Sequence, residues 1–189
     1  MVAFLVTQPT AEPVALSEAK AHLRIDGSAE DGVVEALIAA ARTDVERRTG
    51  RALMPQGWRI ALDKVPASGL VRLAPAPVAS VDAVTVYGAD GSPEIVNASD
   101  YALDTASMPA RLKFAAATEP GRALNGIEID LTCGYASAND VPAPLKQAIL
   151  LLVAFWFEHR EAAPMGVVSA EQAFGIDALL AGFRTPRLC

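Results

Sequence analysis

VPAPLKQAILLLVAFWFEHREAA, residues 141–163, reads as a helix made to be buried. Pro142 and Pro144 fit the approach to a first helical turn, where a missing N–H costs little. Leu145, Ala148, Ile149, Leu152, Phe155, Trp156 and His159 then recur at helical spacing. Leu150, Leu151, Val153 and Phe157 add apolar surface on the other sides, so other elements must surround this helix. Leu145, Ile149, Leu152, Phe155 and Trp156 are its expected core residues. The uncharged run from Ala148 to Phe157 falls short of the roughly 20 residues a membrane-spanning helix needs, and Lys146, Glu158, Arg160 and Glu161 close it at both ends. No membrane partner is expected.

On the N-terminal side of this helix the period changes from helical to two. Trp58, Ile60 and Leu62 alternate with Arg59, Ala61 and Asp63, Val71 and Leu73 flank Arg72, and Val84 and Val86 alternate with Thr85 and Tyr87 before a GADG turn. Ile127, Ile129, Leu131 and Cys133 alternate with Glu128, Asp130 and Thr132, as an antiparallel strand with one wet face requires. Cys133 is then a small core residue, reactive only with a base beside it. Prolines at 66, 75, 77, 93, 109 and 120 cut the region into short pieces joined by turns.

Further back lie two helices. Ser17 is the expected cap of the first, with Glu18 in its first turn and an end near Asp26-Gly27. Ser28 with Asp31 resembles a capping box for the second, and Gly50 supplies its stop. Val34, Leu37, Ile38, Ala41 and Val45 make one stripe of that helix. Glu35, Arg42, Asp44 and Glu46 lie off it. These charges fit a solvated face with Arg42/Glu46 and Asp44/Arg48 pairs, or a contact between subunits through Glu35, Arg42 and Glu46. After the long helix, APMGVV reads as a joint. Ser169 with Gln172 is a second capping-box pattern, and Ile176, Leu179, Leu180 and Phe183 complete an i, i+3, i+4, i+7 stripe ahead of Pro186.

The expected fold is α+β: a helical bundle around one long buried helix, with an inserted module of short antiparallel strands and a C-terminal amphipathic helix. Residues 1–55 form the N-terminal helical part of the bundle, 56–134 the β-rich module, 135–165 the central helix that completes the bundle, and 166–189 a docking segment. Ile176, Leu179, Leu180, Phe183, Arg184 and Arg187 are the residues expected to dock on a partner.

Composition limits the function. The 189 residues are 52% hydrophobic, enough for a proper core, and the formal charge of −6 argues against a general nucleic-acid binder. Cys133 and Cys189 make no CxxC pair, His22 and His159 are far apart, and no metal site or cofactor is expected. The cysteine usage fits a reducing cytoplasm. MVAFLV has neither the basic region nor the length of a signal peptide, so no export is expected. There is no GxxxxGK[ST], GxGxxG, HExxH or GxSxG. His159 beside Glu158 and Glu161 fits a packed or dipole-stabilised helix-end residue better than a general base. No catalytic residue is expected.

PVALSEAKAHLRID (13–26), ERRTGRAL (46–53), PAPVASVDAV (75–84), YGADG (87–91), DYALD (100–104), residues 134–162 and GIDALLAGFR (175–184) follow one another in an order that resembles the head-tail connector (adaptor) family of tailed bacteriophages. The likeness extends to connectors of phage-derived gene transfer agents. The resemblance implies a structural protein in the neck of a virion or gene transfer agent particle, assembled in the bacterial cytoplasm. It implies a homo-oligomeric ring, commonly twelve-fold, beneath the portal protein. The ring would extend a channel for double-stranded DNA without reading its sequence and would offer its lower face to the next neck or tail component, a stopper or tail terminator. The portal then becomes the expected partner of the C-terminal segment. Two other classes stay open: a small helical DNA-packaging or nucleic-acid-binding accessory protein, which should concentrate Lys and Arg on one helix, and a small hydrolase.

Overall fold

The computed structural model describes residues 1–116, 118–159 and 170–184, the side chains of 170–174 excepted. It is a mixed α+β structure with four helices and antiparallel sheets. The chain divides into two compact units, Met1–Thr10 with Pro55–Tyr135 and Ala11–Met54 with Ala136–Cys189.

In the first unit, β1 (Val2–Thr7), β2 (Gln56–Leu62), β4 (Val78–Tyr87), β5 (Pro93–Ile95) and β8 (Ile127–Cys133) form a five-stranded antiparallel sheet in the order β1-β2-β8-β4-β5. A three-stranded sheet, β3 (Leu70–Leu73), β6 (Tyr101–Asp104) and β7 (Ala110–Phe114), runs β3-β7-β6. The alternation in β8 does what its sequence requires: Ile127, Ile129, Leu131 and Cys133 are buried, and Glu128, Asp130 and Thr132 are half-buried on the other face. Ile60 and Leu62 of β2 and Val84 of β4 share the buried face, and Val71, Leu73, Ala110, Leu112 and Phe114 are the buried side chains of the smaller sheet.

Residues 2–7 depart from expectation. They lie in the β unit, paired with β2 from Val2 opposite Ala61 to Thr7 opposite Gly57, and not in the helical part assigned to residues 1–55. An unbroken apolar run carries no period, so only its pairing with β2 defines it as a strand. The register shifts between Leu5 and Thr7, and a Cβ on Gly57 would sit 3.0 Å from the Thr7 hydroxyl. Strands β5, β6 and β7 lie in the stretch that prolines 93, 109 and 120 punctuate, and β5 and β6 are too short to carry a distinct period of two.

The second unit holds α1 (Leu16–Leu23), α2 (Asp31–Thr49), α3 (Ala143–Glu158) and α4 (Ala170–Ala181). Gly50 ends α2 in the left-handed region at φ 68°, as its position predicts. The caps differ: Ala15 and Glu30, not Ser17 and Ser28, occupy the N-cap positions, and neither helix has a side-chain cap. Asp31 pairs with Lys20 of α1 instead. Pro142 caps α3, whose first turn carries the second proline, and His159 ends it. Leu145, Ala148, Ile149, Leu150, Leu152 and Val153 are buried, and α3 packs against α1, α2 and α4. Residues 160–163 of the quoted stretch, and the APMGVV joint, lie outside the described residues.

Candidate assembly surfaces

The C-terminal stripe is turned onto its own subunit. Ile176 is 5% exposed and Leu180 0%, and α4 packs on α3 and α2. Arg51 donates from Nε to the Phe183 carbonyl oxygen at 2.7 Å. Arg184 pairs with Asp177 at 2.6 Å, and Arg48 approaches the same carboxylate at 3.7 Å. This corrects the docking assignment for Ile176 and Leu180. Their apolar surface is already covered, because a short amphipathic helix gains more by burying its stripe on a nearby apolar helix than by leaving it in water. Leu179 and Phe183 are half-buried and Arg184 is exposed, so these are what the segment still offers a partner. Arg187, Ser169, Pro186 and Cys189 lie outside the described residues, as does the Gln172 side chain.

On α3, Leu145, Ile149 and Leu152 are buried, whereas Phe155 and Trp156 are only half-buried. The two aromatics line a groove with Asp44, Arg48 and Gly175. His159 stacks on Phe155 at 4.5 Å between ring centroids, with its Nδ1 2.8 Å from the Phe155 carbonyl oxygen, the packed helix-end role its position predicts.

The charged face of α2 holds a second correction. Arg42 is 7% exposed; its Nε donates to Glu12 at 2.8 Å and its Nη1 to Glu46 at 2.9 Å. Glu46 also accepts from the Leu53 backbone N–H at 2.8 Å. Arg42 and Glu46 are therefore internal and not available to a neighbouring subunit, since separating such a network leaves buried charge uncompensated. Glu35 is exposed. The Asp44–Arg48 pair forms as its spacing predicts, at 2.6 Å.

The open face of the five-stranded sheet is a charged network. Arg59 of β2 grips Asp130 of β8 with Nε and Nη2, at 2.6 and 2.9 Å, and reaches Glu128 with Nη1 at 3.0 Å. The Asp130 hydrogen bond, the largest cause, holds the guanidinium pKa above its ordinary value. The Tyr87 hydroxyl donates to Glu128 at 3.0 Å, which raises its own pKa, and Arg122 lies 5.1 Å from the Tyr87 ring centroid. One cross-strand row on this face runs Val2, Ala61, Glu128, Thr85, Ile95. At its centre Glu128 is paired within the chain, by Arg59 and Tyr87. The row's ends, Val2 at 60% and Ile95 at 73% exposure, are apolar and open. The sequence signal for these ends was slight: an apolar run without polar interruption at residues 1–6, and one isoleucine in a turn-rich stretch.

Burial pushes the Cys133 thiol up to about 12, with Asp82 adding to the effect, so no thiolate forms near neutrality. Among the described residues, no three or more His, Cys, Asp or Glu side chains group as metal ligands, and no helix is long and apolar enough to cross a membrane.

Comparison with known proteins places the chain in a family. The family model "Phage gp6-like head-tail connector protein" matches residues 13–82. A chain in the neck of an empty gene transfer agent particle, with C6 symmetry, is 31% identical and superimposes with a TM-score of 0.82 over 100% of this chain and 98% of that one. The chain belongs to the phage head-tail connector family. Chains of a native gene transfer agent virion (31% identity, TM-score 0.80) and of a native particle neck with C12 symmetry (30%, 0.79) match over the same shares. No curated protein matches this sequence. The connector is thus a structural component of a particle neck, and the relatives it resembles are structural parts, not enzymes. Because their match covers the whole chain, the β unit as well as the helices is common to this connector and those neck proteins.

Proposed function

We propose that this connector assembles as a ring, twelve-fold as in the C12 neck, beneath a portal protein, prolongs a channel for double-stranded DNA, and seats the next neck or tail component, a stopper or tail terminator. The observation that carries the reading is the full-length likeness to neck chains resolved with C6 and C12 symmetry. In each subunit the helical bundle built round α3 is the framework, and the β unit is an inserted module with β1 added from the chain start.

The charge balance suits passage of DNA better than its capture. Residues 1–10 and 55–135 carry nine Asp and Glu against six Lys and Arg, and the remaining residues thirteen against ten, so neither unit is a basic module. A basic wall would hold phosphates through counterion release and slow their movement. The ring is not an enzyme on this reading, and it needs no cofactor or metal.

The test is genetic removal of the connector from a particle-producing host. The expected particles are DNA-filled heads without tails, with no connector ring at the portal vertex by electron microscopy. Normally tailed particles in its absence would overturn the proposal.

A further inference from the structure

We infer that the free edge of β1, with Val2 and Phe4, is a contact between neighbouring copies of this chain, received by the β5 edge and Ile95 of the next copy. The inference rests on the ring reading above and adds to it the surface that closes the ring.

Strand β1 is an edge strand with one side of its backbone unpaired. Natural proteins blunt such edges with charge, proline, short length or a covering segment, because an open apolar edge recruits another chain. VAFLVT has no charged residue and no proline over six residues, and only the register shift near Thr7 interrupts it. Val2, Phe4 and Val6 are 60%, 45% and 57% exposed, an apolar run too concentrated to be incidental.

The occupant follows from symmetry. A cyclic ring of identical copies uses two different patches on each copy, one meeting the other on the next. The five-stranded sheet supplies such a pair on one face: Val2 and Phe4 at the β1 edge, and Ile95, 73% exposed, at the β5 edge. Between them Arg59, Glu128, Asp130 and Tyr87 satisfy one another within the chain, so only the two ends of the face are left with uncovered apolar surface. Placing one copy's β1 beside the next copy's β5 covers Ile95 with Val2 and Phe4. Strand β5 is three residues long and begins with Pro93, so the contact is carried by side chains more than by an extended backbone ladder.

The experiment uses assembled particles carrying Phe4→Cys together with Ile95→Cys in a Cys189→Ser background, treated with a short bifunctional maleimide. The expected result is a covalent ladder longer than a dimer on a denaturing gel, and monomer from either single variant. Particles that show a connector ring by electron microscopy but give no ladder would overturn the inference and leave the ring reading intact. A dimer from Phe4→Cys alone would also overturn it, by showing that two β1 edges meet. Particles whose connector forms no ring even in the wild type would sink the ring reading itself. As a second measurement, Phe4→Lys should leave the subunit's far-UV dichroism and melting unchanged while lowering incorporation into particles at least tenfold; wild-type incorporation would refute the contact.

Discussion

Arg51, just past the end of α2, holds the C-terminal end of the described chain. Its Nε donates to the Phe183 carbonyl oxygen at 2.7 Å, and its guanidinium carbon lies 5.6 Å from the centroid of the Phe183 ring. One side chain thus ties both the backbone and the ring of a residue beyond α4 to the helical unit. Arg51→Ala removes a charge-assisted hydrogen bond and a cation–π contact, and should lower subunit stability by about 1–3 kcal/mol. Urea denaturation of the purified subunit measures it, and an unchanged midpoint would show that the tether is idle.

Deleting the chain from Gly175 onward is the stronger test of where α4 belongs. Ile176 and Leu180 are buried, so their removal opens apolar surface on α3 and α2. The truncated subunit should melt at a lower temperature and bind an apolar dye such as ANS. A truncated subunit as stable as the full chain, defective only in joining heads to tails, would return α4 to a docking role.

Two residues one turn apart on α3 should separate in mutational cost. Leu152 is 4% exposed, and Leu152→Ala should cost about 2–5 kcal/mol through the cavity it leaves. Phe155 is half-buried at the groove rim, and Phe155→Ala should cost only about 1–2 kcal/mol because part of its ring already meets water. Equal losses in thermal unfolding would place Phe155 in the core.

These contrasts show how far the sequence could be read. Strand β8 was legible to its end residues because one face is buried and one is not, and burial writes itself into a period of two. Gly50 was legible because the left-handed φ it adopts favours glycine. What was not legible depends on distant partners. The Ile176–Phe183 stripe says that a face is apolar but not which surface covers it, and α3 and α2 do so from within the subunit. Arg42 carries the sign of a surface residue, and its burial is made tolerable by Glu46 one turn away together with Glu12, 30 positions earlier, a partner no local spacing reveals. The exposed ends of the β1–β5 row come from five strands laid side by side, an arrangement no local pattern encodes.

The Arg42 network should respond differently to losing one partner and to losing all of them. Arg42→Ala leaves the mostly buried Glu46, 13% exposed, facing Glu12 without a cation, and should cost about 3 kcal/mol or more. Adding Glu12→Gln and Glu46→Gln to Arg42→Met should recover much of that loss, since no uncompensated charge then remains. A double-mutant cycle on thermal stability checks it, and strict additivity would show that the three side chains do not act together.

Asp104 should mark the acid limit of the smaller sheet. Hydrogen bonds from the Ser107 hydroxyl, the largest cause, and then from Arg111 lower its pKa to about 2. An unfolded aspartate titrates near pH ~3.9. A folded-state pKa below that value means the ionised form is favoured in the native state, so its contribution to stability is present above about pH 4 and is lost as pH falls toward 2. Above pH 5 the group is ionised in both states and adds no pH dependence. The carboxyl carbon of Asp104, followed by NMR, should titrate near pH 2 in the native protein, and Ser107→Ala should move the midpoint upward. A midpoint near 4 in the wild type would mean that the Ser107 and Arg111 bonds are not held in solution.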